Sequence, residues 1–483
     1  VEGQQESRRK PRVGQDGSVR QEQDSLGPVM VPADRYWGAQ TERARANFNI
    51  GNDPIPIVII HAIATIKKAG ALTNTRLGVL DRERCQWIVA AADEVITGQL
   101  DDHFPLSVWQ SGSGTQTNMN VNEVIANRAC ELAGAPRGSK DPVHPNDHVN
   151  CSQSTNDVFP AAIHLAVEPL LRTELLVELD KLITSLRRKA RDWADVVKIG
   201  RTHLMDAVPL TCGQEIDGWA SQLSAAAARL QANLGELYQL PLGGTAVGTG
   251  LGTPLGYGRQ VCEQLFEWTG QPWREADNLF AVMGSHDGLL DLMDRVRLLA
   301  TALHKQVNDI RLLGCGPRAG YGELVLPANE PGSSIMPGKV NPTQCEAVAM
   351  ATVQVIGYTG AMAMAGAGGQ LQMNVYKPQI GLNLIKAIGL MTDCCRSLRR
   401  NLIEGLELNR SRIAELRDRS LMLVAALVPE IGYDAAARVA LHAHKHHLSL
   451  RESALLLEVI SPERFDAVVD PYRMAHPHHR PPG

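Results

Sequence analysis

The sequence predicts a mainly α protein built around a bundle of long helices, and three observations predict it. Leu171, Leu175, Leu179, Leu182 and Leu186 follow one another at spacings of four, four, three and four. That rhythm sets them on one helical face, the seam expected for bundle packing. Aromatic residues make up only 4% of a chain that is 44% hydrophobic, which is poor material for sheets but suits Leu- and Ala-rich helices. At 483 residues the chain is also too long for one small domain, and two or three are expected.

Taken in order, residues 1–28 are polar, with almost nothing to bury, and read as a disordered tail. Residues 29–152 are expected to form an N-terminal domain, 153–411 a central helical bundle and 412–473 a small C-terminal helical domain. The His- and Pro-rich residues 474–483 read as a second tail. The clearest helix spans about 161–197, and Pro169 should kink it. Similar apolar runs lie near 214–240, 286–313, 343–365 and 380–405. Helices of more than 20 residues reach about 30 Å each. A bundle with such broad apolar faces often buries the surplus between subunits.

The same composition excludes two function classes. Lys and Arg number 48 against 52 Asp and Glu, for a net charge of −4, so the chain as a whole has no electrostatic grip on nucleic acid. No uninterrupted apolar run approaches the roughly 20 residues of a membrane span. Nine cysteines, an odd number with no C-x-x-C pair, read as free thiols in a reducing compartment. No secretory pattern occurs within Val1 to Gln23. The expected localisation is cytoplasmic, or the mitochondrial matrix if an upstream targeting segment has been removed.

Five polar, glycine-rich clusters interrupt the helices, and chemistry is expected there. The first, Ser111 to Asn120, offers small donors such as Ser113 and Thr115 ahead of a helix, an arrangement that can hold a carboxylate or a phosphate or simply cap the helix. The second joins His144-Pro145-Asn146-Asp147 to Ser152-Gln153-Ser154-Thr155-Asn156-Asp157, again hydroxyls and amides before a helix. The third sets His203 between Arg201 and Asp206, next to Thr202, where an imidazole can act as acid or base near neutral pH or serve as a structural, hydrogen-bonded histidine. The fourth, Gly243 to Gly250, lacks the spacing and the strand of a dinucleotide loop and reads as a tight turn. The fifth, Glu330 to Pro342, is not a P-loop: five residues separate Gly332 from Gly338, and Val340 stands where Ser or Thr should bind magnesium. A glycine-bounded loop with hydroxyls, one Lys and one Asn suits a mobile lid that closes on an anion, or an ordinary surface loop. His442 and His446 have metal-ligand spacing, but no H-E-x-x-H surrounds them, and a solvated helix face is the plainer reading.

The fifth cluster, Gly332-Ser333-Ser334-Ile335-Met336-Pro337-Gly338-Lys339-Val340-Asn341-Pro342, resembles the signature of the fumarase/aspartase superfamily. The other segments are similar to class II fumarases in the same order, as are Val31 to Thr41 and Ile431-Gly432-Tyr433-Asp434. The resemblance covers about 30–473 and implies a three-domain fold with a central long-helix bundle. It implies reversible trans addition of water to fumarate to give (S)-malate. No cofactor or metal is expected. The implied partners are a dicarboxylate substrate and three further copies in a homotetramer with shared sites. His203, Gly338 and the run Thr343-Gln344-Cys345-Glu346 favour a fumarase. Thr155 and the run Gly369 to Val375 lean towards an aspartate ammonia-lyase, the nearer alternative; a non-catalytic helical scaffold is the other.

By the same resemblance Ser333 is the base, Lys339 and Asn341 grip the carboxylate that gains charge, and His203, polarised by Glu346, acts on the hydroxyl through a water. Ser113, Thr115, Ser154, Thr155, Asn156 and Thr202 would bind substrate by neutral hydrogen bonds. A second anion site falls on His144, Asn146 and Asp147. Asp141 stands where some members have an arginine that would serve it. Leu279 and Ala281 replace a Lys and a Glu of relatives, and no physical account of that change follows from the sequence.

Overall fold

The computed structural model describes residues 17–477. Among them are eighteen α-helices and four two-stranded sheets. In chain order the elements used below are β1 (Val19–Asp24), β2 (Gly27–Pro32), α1 (Ala39–Asn47), α2 (Ile57–Arg76), α3 (Arg82–Ile96), α4 (Thr115–Leu132) and α5 (Thr155–Pro169). Then come α6 (Leu176–Asp192), β3 (Val197–Thr202), β4 (Met205–Thr211), α7 (Cys212–Leu237), α8 (Tyr257–Thr269) and α9 (Leu279–Gly284). After them follow α10 (Asp287–Leu313), α11 (Thr343–Ala367), α12 (Lys377–Leu398) and α13 (Arg410–Arg419), with further helices to Ala475.

The chain divides into two compact units, each drawn from several stretches. The first takes its residues from Val1–Glu174, Arg229–Arg297 and Val355–Gly389. Its centre is α2, which packs against α3, α4, α5 and α8. Ile59, Ile60, Ile63 and Ile66 recur on one side of α2 and are buried, the helical stripe that water exclusion selects. The second unit takes Leu175–Ala228, Leu298–Gln354 and Leu390–Gly483. There Ile199 of β3 joins a C-terminal core of Leu423, Leu427, Val439, Leu450 and Phe465.

The structure departs from the expectations in four places. Of the expected tail 1–28, residues 1–16 lie outside the described residues, but 19–24 pair with 27–32 as an antiparallel hairpin. Composition hid it because a cation anchors it in place of apolar packing. Arg20 donates to the carbonyls of Pro32, Arg35 and Trp37 and pairs with buried Glu22. The single helix expected over 161–197 is α5, a π-helical turn at Leu170–Leu175, α6 ending at Asp192, and then a strand. Pro169 ends α5 because it has no N–H to bond and its ring crowds the preceding turn; the wider turn absorbs the misfit. The expected tail 474–483 starts inside a helix, Pro471–Ala475, and its residues 478–483 lie outside the described residues. Finally, α11 is long and apolar enough by length and composition to cross a membrane. No uninterrupted apolar run marks it in the sequence, because Thr, Gln and Tyr punctuate the helix.

Helix α11 leaves a stripe exposed. Met350, Val353, Gly357, Gly360 and Met364 succeed one another at steps of three, four, three and four, and all are exposed. A Cβ built on Gly357 or Gly360 would meet nothing within 4 Å. Such a seam, apolar and smooth, is the face a helix presents to another helix.

Candidate active site

In the first unit, two helix N-termini carry the hydroxyl clusters. Gly114 caps α4 with φ +81°, and a Cβ there would lie 2.4 Å from the Phe159 ring, so glycine is required. The turn lines up three hydroxyls: Ser111 Oγ is 3.0 Å from Ser113 Oγ, which is 2.7 Å from Thr115 Oγ1. Ser154 caps α5 in a capping box: its side chain accepts from Asn156 N, and Asp157 accepts from Ser154 N at 3.0 Å. The other carboxylate oxygen of Asp157 accepts from Gly243 N and Thr245 N at 3.2 and 3.0 Å. Asn156 Nδ2 reaches Ala246 O at 2.8 Å. The unit thus ties Ser154, Thr155 and Asn156 to the Gly243–Gly250 turn, with Asp157 as the tie. The tight-turn reading of that glycine run holds. Asp157 was not among the residues singled out for a role, although the Ser154-x-x-Asp157 pattern announces a capping box.

The second unit holds Thr202, His203, Ser333, Lys339, Asn341 and Glu346. The β3–β4 hairpin pairs Thr202 with Met205, leaving His203 and Leu204 as a two-residue loop. Both have positive φ, +56° and +61°, as a primed hairpin turn requires. Neither is glycine, so the turn that carries His203 stores strain. Thr202 and His203 are exposed at its tip. Below the tip, Lys198 Nζ lies 2.7 Å from Glu215 and 2.8 Å from Glu323, and Arg201 reaches Glu323 at 2.7 Å. Arg201 also stacks on Tyr321 at 4.3 Å. Burial alone would push the Glu323 carboxyl up, but Lys198 and Arg201 outweigh it and hold it below the usual carboxylate range.

The loop from Glu330 to Pro342 is closed at its neck. Gly332 N donates to Lys339 O at 2.9 Å, and Asn341 Nδ2 donates to Gly332 O at 2.6 Å. Inside it, Ser333 Oγ accepts from Ile335 N at 3.3 Å and Met336 N at 3.0 Å. Two backbone donors aimed at one hydroxyl oxygen favour its anionic form. Lys339 and Asn341 line a cleft of about 620 Å³ that also takes in Arg311. Glu346 sits exposed in the first turn of α11. No hydrogen bond joins it to His203 among the described residues.

The His144 segment lies apart from these groups in its own contacts. His144 Nδ1 accepts from Asn146 N and Asp147 N, both at 3.2 Å. Burial lowers the His144 pKa, with Asp147 opposing. His144 and Asn146 line a cleft of about 610 Å³ whose wall includes Glu22, Asp24 and Glu123. Lys140 Nζ is engaged by the Gln23 carbonyl. His442, raised as a metal lure, engages Ser453 Oγ through Nδ1 at 3.0 Å.

Known proteins agree with these motifs. A family model described as a lyase matches residues 27–357, and one described as the fumarase C C-terminus matches residues 423–476. A class II fumarate hydratase of Parasynechococcus marenigrum is 58% identical, covering 95% of this chain and 99% of its own. One from Prochlorococcus marinus is 56% identical over 94% and 98%. The crystal structure of a class II fumarase from Schistosoma mansoni superposes with a TM-score of 0.94 at 45% identity, over 96% of this chain and all of that one. Whole-length similarity at this level makes the chain a member of the class II fumarases within the fumarase/aspartase superfamily.

Proposed function

We propose that this chain interconverts fumarate and (S)-malate by trans addition and elimination of water, and that the residues above carry the reaction as follows. The observation that carries this reading is Ser333 Oγ, held by the N–H groups of Ile335 and Met336. Abstracting a C3 proton needs a base at a carbon next to a carboxylate, and a serine hydroxyl is too weakly acidic to ionise unaided. Backbone donors that favour its alkoxide supply what is missing.

In the elimination direction, Ser333 alkoxide takes the C3 proton and becomes the hydroxyl. The electron pair moves onto the adjacent carboxylate, which Lys339 and Asn341 hold. The C2–O bond then breaks, and His203 delivers a proton through a water so that the hydroxyl leaves as water. Thr115, Asn156 and Thr202, with Ser113, Ser154 and Thr155, hold the substrate by neutral hydrogen bonds. Hydration runs the same steps in reverse.

Four copies with shared sites complete the reading. The exposed seam of α11 supports it, as do the exposure of His203 and Glu346 and the lack of a bond between them within one chain. The domain bounds 29–152, 153–411 and 412–473 remain part of the proposal, and the match of the C-terminal family model at 423–476 supports the last. Nine free thiols support a reducing, cytoplasmic setting. A second anion site at His144, Asn146 and Asp147 is proposed only as a weak one, since carboxylates share its cleft.

The test is to supply the enzyme with malate and with aspartate and follow fumarate by its ultraviolet absorbance. Malate is expected to react. Release from aspartate alone would transfer the chain to the ammonia-lyases. Ser333→Ala and His203→Asn are expected to lower kcat by a hundredfold or more, in line with loss of a base or acid (about 10²–10⁴).

A further inference from the structure

Behind the hydroxyl loops of the first unit lie three fully buried charged side chains, Lys67, Asp157 and Lys377. Lys67 Nζ donates to Asn150 Oδ1 at 2.8 Å, an oxygen shared with the amides of Asn118 and Asn122. Lys377 opens α12, and its backbone N donates to Gly112 O at 3.0 Å, inside the Ser111–Asn120 loop. Its ammonium has no hydrogen-bond partner among the described residues. Among the described residues, Asp157 is the carboxylate that acts on both lysines. The other titratable groups nearby include the Tyr257 hydroxyl, pushed up by burial, and His286 and His164, pulled down to about 3 and about 4 chiefly by burial, with Lys377 adding to the shift of His286; all three are neutral near pH 7. With both lysines charged, two cations face one anion in a region closed to water.

The substrate-facing residues of this unit, Ser113, Thr115, Ser154, Thr155 and Asn156, carry no charge. A dicarboxylate bound there arrives with two negative charges, and its intermediate carries more. We propose that Lys67 and Lys377 are electrostatic positioning residues, whose buried positive charge, left in excess over Asp157, lets these neutral donors hold a dicarboxylate dianion. The role rests on the reading that the Ser113–Thr115 and Ser154–Asn156 loops bind substrate. A charge in a low-dielectric interior acts over longer distances than one in water, and counter-ions do not reach it to screen it. The lysines do not touch substrate, because both are fully buried. Burial, opposed by Asp157, also brings their pKa values down to about 7 for Lys67 and about 8 for Lys377. The field is therefore present below these values and fades as pH rises through them.

Lys67→Met and Lys377→Met keep most of the volume and remove the charge. The probes are succinate, a dianion, and succinamate, its monoanionic amide, measured as competitive inhibitors. The expected result is that each variant weakens succinate by about tenfold or more, the scale of one charge acting on another at an effective dielectric of about 20, and weakens succinamate by clearly less. Equal losses for both probes would mean a structural role and overturn the proposal. Ser154→Ala and Thr115→Val separate the two layers of argument. If they leave succinate binding unchanged, the substrate reading of the loops fails; if they weaken it while the lysine variants do not, the electrostatic proposal alone fails. Should the Met variants not fold, the unmodified enzyme decides: succinate inhibition should weaken as pH rises from about 6.5 to about 9, more than succinamate inhibition does. A parallel profile for the two inhibitors overturns the proposal.

Discussion

Glu323→Gln is the substitution whose cost is best defined by the geometry. Glu323 is 1% exposed, with Arg201 at 2.7 Å on one oxygen and Lys198 at 2.8 Å on the other. The amide keeps the shape but removes the charge, leaving buried Lys198 with Glu215, which is itself partly exposed, and the partly buried Arg201 without its paired carboxylate, with Asp206 acting on it from further away. Removing one partner from a buried pair costs about 3–5 kcal/mol. In a unit of about 200 residues each kcal/mol moves the thermal midpoint by about 2–4 °C, so a drop of roughly 10 °C is expected. Differential scanning calorimetry resolves such a shift even if the two units unfold separately. The pH dependence follows from the same network. Glu323 has a depressed folded pKa, so its contribution is complete above the ordinary carboxyl value of 4.5 and is lost as pH falls through the lower folded value. Burial lowers the Lys198 pKa, but Glu215 and Glu323 more than offset it. Its contribution is complete below the ordinary value of 10.5 and is lost as pH rises through the higher folded one. Glu323→Gln should therefore flatten the acid limb of the stability curve. Adding Lys198→Met should recover part of the loss, because fewer charges remain unpaired. A single-variant cost under about 1 kcal/mol, the value of a solvent-exposed pair, would refute the reasoning.

Three further outcomes follow from the same coordinates. Gly112→Ala would set a Cβ 1.4 Å from Val375 O, so the Ser111–Thr115 turn must move. Overpacking of this kind costs about 1–3 kcal/mol or more, and malate turnover should fall steeply while circular dichroism stays helical. Ser154→Ala removes the cap of α5 and should lower stability by about 1 kcal/mol, read as a shift in the denaturation midpoint, and raise KM more than it lowers kcat. Met350→Asp with Met364→Asp puts charge on the exposed seam of α11, and analytical ultracentrifugation should then show species smaller than the proposed tetramer; a tetramer unchanged by the substitutions would place the interface elsewhere, and single full-length chains before mutation would overturn the proposed assembly.

How much was legible depends on the range of the signal. The runs near 214–240 and 286–313 appear as helices within a few residues of their expected bounds, because helical periodicity is local, whereas the Leu171–Leu186 seam runs through the π-turn into α6. The β1–β2 hairpin was not legible, since its anchor, Arg20, bonds carbonyls 12 to 17 residues away. Neither was the break after Pro169 placed as a π-turn, because a proline announces a disruption without saying how the chain absorbs it. In the site, motif identity pointed to Ser333, Lys339, Asn341 and His203 at once. The reason Ser333 can serve as a base, two N–H groups folded onto its oxygen, is a matter of loop closure between Gly332 and Lys339.

By itself, then, the sequence determined the helical class, the family and the list of polar clusters, since periodicity, composition and short motifs are all properties of neighbours along the chain. Tertiary structure alone decided what stands behind those clusters. Asp157 joins α5 to a turn more than 80 residues away. Lys67 and Lys377, separated by some 310 positions, become buried charges sharing one carboxylate. A lysine in a string of letters reads as a solvated cation. Only packing can remove its water, and removing the water is what turns a routine surface charge into a field.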